Sequence, residues 1–355
     1  MSMAPASARN PSSAALLSWP GTRLLAAAAI VAAILFFFAR EPMARGWLAA
    51  FIPISQIALG GLALLLIDRL TSTRWAAGFR PYLTLFSAMV PALVLLWLPA
   101  ALNLGSLYDW AANVHSVPKD VAAIYLNPVA FSLRSLASFA GWAFFALLLL
   151  KGWLSRPAAA AGLLFYGVSF NLIAYDWILS TDAPFASSAF GAEMAVQNIM
   201  AALAAAGLFA ARVADAQARR DLGSFLMAVS LALLYFALIS SIVNWYGDLP
   251  GQAEWYLRRS GAWASVIAAA AVSGSIIPII TLLFVRVRES IRGLRLVAAS
   301  ALLGIILHDL WHFAPLMHPW PLACFLVSFV AAGVIALGFA RLVILATLSR
   351  QNPDG

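Results

Sequence analysis

From Leu222 to Tyr246 the chain reads LGSFLMAVSLALLYFALISSIVNWY, with no Asp, Glu, Lys or Arg in the whole stretch. As an α-helix it would be about 37 Å long, more than the roughly 30 Å of hydrocarbon in a bilayer. A helix apolar on every face over that length reads as a membrane span rather than as part of a soluble core. Similar runs recur on both sides of it, near 22–39, 47–67, 81–102, 129–150, 158–176, 189–211, 261–285, 294–314 and 321–346. With 222–246 they predict an all-α polytopic membrane protein of about ten transmembrane helices. Composition agrees: the chain is 63% hydrophobic and 10% charged, where soluble domains carry about 25% charged residues.

The run at 22–39 is the shortest, and its Ala-rich core is like that of a signal peptide. No small-x-small cleavage site follows Phe36, Phe37, Phe38, Ala39 and Arg40, so a retained helix is expected. Residues 1–20 are rich in Ala, Ser and Pro and read as a disordered tail. Residues 21–349 read as one transmembrane domain, and 350–355 as a second short tail.

The net charge of +8 raises the question of nucleic acid. The basic residues stand singly between apolar runs, which fits loops at an anionic membrane surface and not a nucleic-acid stripe. With the N-terminus cytoplasmic, sixteen Lys/Arg fall on the cytoplasmic side: Arg9, Arg23, Arg69, Arg74, Arg80, Lys151, Arg156, Arg212, Arg219, Arg220, Arg286, Arg288, Arg292, Arg295, Arg341 and Arg350. Five fall opposite: Arg40, Arg45, Lys119, Arg258 and Arg259. The positive-inside rule therefore places both termini in the cytoplasm and favours an even number of spans. Arg134 lies within a span.

The single cysteine, Cys324, excludes an intrachain disulfide, a C-x-x-C-H haem attachment and a four-cysteine iron–sulfur site. It reads as inert packing in an apolar helix. Redox chemistry would therefore need a diffusible or partner-held cofactor. Polar residues inside spans are costly and mark function by default. Arg134 is about two turns into the fourth span, and its buried guanidinium calls for an anionic partner, either Glu193 or Asp176. Asp176 ends the fifth span, Glu193 is about one turn into the sixth, and Asn244 and Tyr246 end the seventh. His308, Asp309 and His312 lie in the outer part of the ninth. All fall in the non-cytoplasmic half, which predicts one polar cavity open to the outside. The plain alternative is that Asp176 and Asp309 only cap helix ends. Trp177, Trp245, Tyr246, Trp255, Tyr256, Trp311 and Trp320 read as an interfacial aromatic belt. Gly60, Gly61 and Gly274 read as close helix contacts. His308 and His312 share a helix face at metal-ligand spacing, but no metal is assigned. No residue is assigned a catalytic role.

Several segments, in order, resemble one family. They are Leu59 to Thr71 (LGGLALLLIDRLT), Arg74–Trp75, Arg80–Pro81, Tyr108–Trp110 (YDW), Tyr125–Asn127 (YLN) leading to Arg134, Tyr175–Ser180 (YDWILS) and Phe190–Gly191. Asn244–Pro250 (NWYGDLP), Glu254–Tyr256 (EWY) and His308–Trp311 (HDLW) complete the series. This pattern, over roughly residues 47–320, is similar to the ActF-type membrane subunit of bacterial alternative complex III, in the NrfD/polysulfide-reductase-like group. Asp68–Arg69 stand where such subunits often carry two histidines.

The resemblance implies two four-helix bundles, near 47–176 and 189–314, with flanking helices at 22–39 and 321–346. It implies a non-haem subunit of a quinol-oxidising respiratory complex in the bacterial inner membrane, not catalytic alone. Its partners would be iron–sulfur and cytochrome c subunits, a paralogous membrane subunit and membrane lipid, with quinone or quinol the expected ligand. Carried over by position, Arg134, Asp176, Asn244, Tyr246, Asp248, Glu254, His308 and Asp309 are the matching residues. Together with Glu193 and His312 they are the proton-handling or quinone-site candidates. Three functions are open: scaffold and proton handling within such a complex, direct quinone binding in the outer cavity, or a secondary transporter or membrane-assembly factor that retains the fold.

Overall fold

The computed structural model describes residues 21–71, 75–183, 187–247 and 250–351. The two tails, apart from residues 350 and 351, and Asp248 lie outside the described residues. All the regular structure described is helical. Among the described residues, nine helices are long and apolar enough to cross a membrane. They are α2 (Arg40–Thr71), α3 (Arg80–Ala101), α4 (Pro128–Leu150), α5 (Arg156–Trp177, continued by a 3₁₀ turn at Leu179–Asp182), α6 (Phe190–Ala210), α7 (Ala216–Gly247), α9 (Ala262–Leu282), α10 (Ile291–His312) and α11 (Pro319–Gln351). They coincide with nine of the ten expected runs. The tenth is helix α1 (Gly21–Phe38), whose apolar part, Ala26–Phe38, is shorter than the roughly 20 residues a span requires. A short helix, α8 (Pro250–Leu257), links α7 to α9.

The polar contacts between helices sort into two ends. At one, Arg40 donates to Asn103, Arg45 to the Ser106 carbonyl and Tyr108 to the Trp177 carbonyl. At the other, Arg80 pairs with Asp68, Arg69 donates to the Leu154 carbonyl, and Arg219 and Arg220 reach Glu289. Consecutive spans therefore run in alternating directions, as the charge distribution requires. The second of these is the basic end, and the first is the aromatic end. The chain reverses between α1 and α2, since the Phe36 and Trp47 rings lie 5.7 Å apart, against about 16 Å along a continuous helix.

In lipid, apolar side chains gain little by leaving their surroundings, so association relies on close packing by small residues. Helices α2 and α6 show this most clearly. A Cβ on Gly60 would lie 1.9 Å from the Asn198 carbonyl oxygen, and the facing stretch of α6 carries Ala201, Ala202, Ala204, Ala205 and Ala206, all buried. This contact joins a first group of helices, α2–α5, to a second, α6, α7, α9 and α10. The flanking helices do not stand at opposite ends of that row. Helix α11 returns to lie along α2 and α3, and α1 packs against α11. Gly46 allows this, because a Cβ there would meet the backbone nitrogen of Phe325 at 2.6 Å. Helix α2 is thus the central rod, with 89% of its apolar window buried, against 11% for α7.

Candidate functional site

At the aromatic end the polar residues form two clusters, not the single cavity expected. The first belongs to α4 and α5. Asn127 caps α4, its side chain accepting from the Ala130 amide at 2.8 Å, and Pro128 supplies the first helical residue. Two turns on, Arg134 grips Asp176 with both arms, Nε to Oδ2 at 2.7 Å and Nη2 to Oδ1 at 3.0 Å. The same Nη2 donates to the Tyr125 carbonyl, and the guanidinium sits 3.9 Å over the Tyr125 ring. Asp176, not Glu193, is therefore the partner of Arg134.

Around this pair most polar tips of the aromatic wall have acceptors, Trp97 Nε1 alone among them being buried without one among the described residues. Tyr108 donates to the Trp177 carbonyl, Trp110 to the Ser180 hydroxyl, Trp177 to the Ser135 hydroxyl, and Ser180 to the Asp176 carbonyl. Burial pushes the Tyr108 phenol well above its ordinary range and raises Tyr125 to about 12. Both remain neutral donors at physiological pH. Asp176 is completely buried.

The second cluster occupies α6, α8 and the last two turns of α10. Helical spacing places His308 and His312 on one face, ring centroids 4.5 Å apart. The Nδ1 of His312 faces the His308 carbonyl of its own helix at 2.9 Å. Among the described residues no three His, Cys, Asp or Glu side chains gather as metal ligands. Glu193, in the first turn of α6, brings Oε1 to 3.4 Å from His308 Nε2. Asp309 points instead toward the joint between the two helix groups. Its Oδ1 accepts from Gln56 of α2 and Gln197 of α6, each at 3.1 Å. Asp309 Oδ2 and His308 Nδ1 are buried without a hydrogen-bond partner among the described residues.

A cavity of about 280 Å³ opens beside Glu193, His308 and His312, walled by Trp255, Tyr256 and Ser240. It approaches the lower end of the roughly 300–1,000 Å³ typical of small-molecule sites. A smaller chamber of about 90 Å³ continues toward mid-membrane along Gln197, Met200, Gly274 and Gly304. Glu193 and His308 line both. With Ala237 and Ile267, which also line both, they form the boundary between an outer vestibule and an inner, largely apolar chamber, of which they are the polar part. Beside the inner chamber α9 makes a π-helical turn, Val272–Ile276, a feature that recurs at functional sites. The Ser300 hydroxyl donates to the Ser273 carbonyl in this turn. Gly274 and Gly304 let α9 and α10 meet there, since a Cβ on Gly304 would lie 2.3 Å from Gly274 Cα.

Arg259 closes the cluster from outside. It donates to Asp182 at 2.7 Å, to the Trp255 carbonyl at 2.9 Å and to the His312 carbonyl at 2.8 Å, and its guanidinium lies 3.6 Å from the Trp255 ring centroid. A cation at the last carbonyls of α10 is well placed against that helix's dipole. Burial lowers its pKa to about 10, with Asp182 opposing the shift, so it stays charged. Arg258 also pairs with Asp182, at 2.8 Å.

Of the residues singled out from sequence, Arg134 meets Asp176, while Glu193, His308, Asp309 and His312 come together elsewhere. Asn244 stands at the rim, donating to the Tyr256 hydroxyl at 2.9 Å. Glu254 is exposed, 3.9 Å from Arg258. Tyr246 is 83% exposed, which reads as interfacial anchoring. The expected belt divides in the same way. Trp245 and Trp320 are exposed, whereas Trp177, Trp255 and Trp311 are buried walls. Gln56, Gln197, Asp182 and Arg259 join the clusters without standing out in the sequence. Arg258–Arg259 do carry a usable signal, as an adjacent pair that breaks the positive-inside rule next to Trp255 and Tyr256. Compared with known proteins, the chain matches no family model and no curated sequence.

Proposed function

We propose that this chain is a non-haem membrane subunit of a quinol-oxidising respiratory complex, supplying scaffold and a proton acceptor at the Glu193–His308 pair. The observation that carries the reading is the position of that pair. A carboxylate and an imidazole form the polar part of the boundary between a cavity and a largely apolar chamber, with His308 Nδ1 and Asp309 Oδ2 buried beside them and without hydrogen-bond partners among the described residues. Quinol oxidation releases protons, and acceptor side chains beside the head group suit that chemistry. The residues fit a ring of that class: Trp255, Tyr256 and Trp311 give an aromatic wall, with Glu193 and His308 as polar contacts. When bound, the quinol would supply the electrons and protons. Glu193 would take a proton through His308 Nε2, and Asp309 would hold α10 in register through Gln56 and Gln197. The ordered resemblance over residues 47–320 supports iron–sulfur and cytochrome c partners and a paralogous membrane subunit. The charge bias supports cytoplasmic termini in a bacterial inner membrane.

The test is gentle detergent extraction of the tagged chain, with optical spectra, subunit identification and quinone analysis. Co-purifying c-type haem with bound quinone is expected. A lone colourless protein without quinone would overturn the proposal. A second reading, a transporter that retains the fold, draws on the mid-span interruptions at Val90–Ala92 in α3 and Val272–Ile276 in α9. Both remain wound as tight or wide helical turns, whereas transporter sites use unwound segments. Solute-dependent uptake by proteoliposomes of the lone chain would favour that reading.

A further inference from the structure

The vestibule and the inner chamber are both walled by α6, α7, α9 and α10. Three of the seams between neighbouring walls are packed: α6 lies against α7 and against α10, and α10 lies against both halves of α9. The fourth seam is different. Helix α7 packs on the second half of α9, Val272–Leu282, and on the turn beyond it, Val285–Glu289. It hardly touches the first half of α9, Ala262–Ala271. Burial follows the same division. In Ala262–Ala271 only Ala270 is buried, whereas the second half buries Ser273, Gly274, Ser275, Pro278 and Leu282. The two helices thus part at the π-turn, Val272–Ile276. From there a crevice opens toward the aromatic end, in the same half of the membrane as Glu193 and His308.

Cavity size sorts what can lie where. An apolar cavity of about 150 Å³ holds a benzene ring. The vestibule, at about 280 Å³, exceeds that size. The inner chamber, at about 90 Å³, falls below it and has the bore of a chain. The boundary between them is polar on one side, with Glu193 of α6 and His308 of α10, and apolar on the crevice side, with Ala237 of α7 and Ile267 of α9. Both polar side chains keep accessible surface, 11% for Glu193 and 18% for His308. Beyond the boundary the chamber continues along Leu234 and Ala271, one from each lip of the crevice. Ser241, one turn outward from Ala237, donates to the Ala237 carbonyl at 2.7 Å, so its proton is satisfied within its own helix.

We infer that the α7–α9 crevice is a lateral portal, through which a ring lipid with a single isoprenoid chain enters from the non-cytoplasmic half of the bilayer. The ring rests in the vestibule, and the chain leaves between Ala237 and Leu234 on one lip and Ile267 and Ala271 on the other. This rests on the reading of the vestibule as a ring site. A phospholipid would bring two chains to a passage with the bore of one, and a fatty acid would set its carboxylate against that of Glu193. A chain gains little by exchanging lipid for protein contacts, so the crevice governs which ligands are admitted.

The test uses the purified full chain in detergent with two benzoquinones. One carries a single isoprene unit, and the other carries eight, with a photoreactive diazirine on the second unit. Labelling by the long probe is expected within residues 233–241 and 267–271, suppressed by an excess of the short quinone. Suppressed labelling that falls on other helices would overturn the portal and leave the ring site standing. Labelling that the short quinone does not suppress would overturn the ring site and this inference with it. Suppression by oleate as effective as that by the short quinone would assign the crevice to fatty acids and overturn the ring lipid. In a folded Ala271→Phe protein, which narrows the chamber and not the vestibule, the affinity ratio of long to short quinone should fall about tenfold. An unchanged ratio would overturn the portal.

Discussion

Arg134–Asp176 and Glu193–His308 sit at the same end of the molecule, each an acid facing a base near the end of a span. Their surroundings differ in completeness. The first pair is bidentate and its carboxylate fully buried, with the neighbouring aromatic tips of Tyr108, Trp110 and Trp177 hydrogen-bonded and Trp97 Nε1 the exception. The second is a single longer contact of 3.4 Å, bordered by space on two sides and by unsatisfied polar atoms. A buried ion pair with all its partners satisfied holds helices in register and leaves no room for a ligand. A pair with open valences beside a cavity can exchange a proton. Intramembrane charge therefore marks candidates for function, and hydrogen-bond completeness decides which of them are free to act.

The contrast is most easily broken at the closed pair. Arg134→Gln should destabilise the protein by about 3–5 kcal/mol in detergent, because it strands a buried carboxylate. Thermal unfolding checks this, and the pair replacement Arg134→Met/Asp176→Leu should recover most of the loss. Next comes the clamp: Arg259→Gln should cost about 2–3 kcal/mol, since it removes charged hydrogen bonds to Asp182 and the His312 carbonyl. It should also speed proteolysis between α8 and α9. At the open pair stability is nearly indifferent. Glu193→Gln should alter it by no more than about 1 kcal/mol, because the side chain borders space and its partner is one imidazole nitrogen. Smallest of all, Tyr246→Phe should stay within about 0.5 kcal/mol, as an exposed site. An equal loss of stability in Arg134→Gln and Glu193→Gln would erase the distinction.

The vertical arrangement is legible in the sequence. Nine helices fall where apolar runs of bilayer length predict them, and the alternation of ends follows the scatter of Lys and Arg. Depth along each span can be read because the rise per residue is fixed. Azimuth cannot. Asp176 and Glu193 lie at similar depth, so sequence does not say which of them faces Arg134, and it predicts one cavity where the fold makes two clusters. Gln56 and Gln197 leave no mark because an uncharged amide hardly alters a hydropathy window, yet both bind Asp309. Arg259 reads as a loop charge, since nothing local shows that the chain after α8 tucks it beneath the end of α10. The return of α11 to α2 rests on Gly46 meeting the backbone of Phe325, a long-range fit without a local signature.

If Glu193 acts and Arg134 only holds, the two must separate in a functional assay. That assay is quinol-dependent reduction of the co-purifying c-type haem in the intact complex carrying Glu193→Gln, with assembly confirmed by subunit content. A fall in turnover of about a hundredfold, the scale of a lost proton acceptor, with normal assembly is the predicted result. Unchanged turnover in a fully assembled complex would contradict it and reduce the open pair to another structural contact.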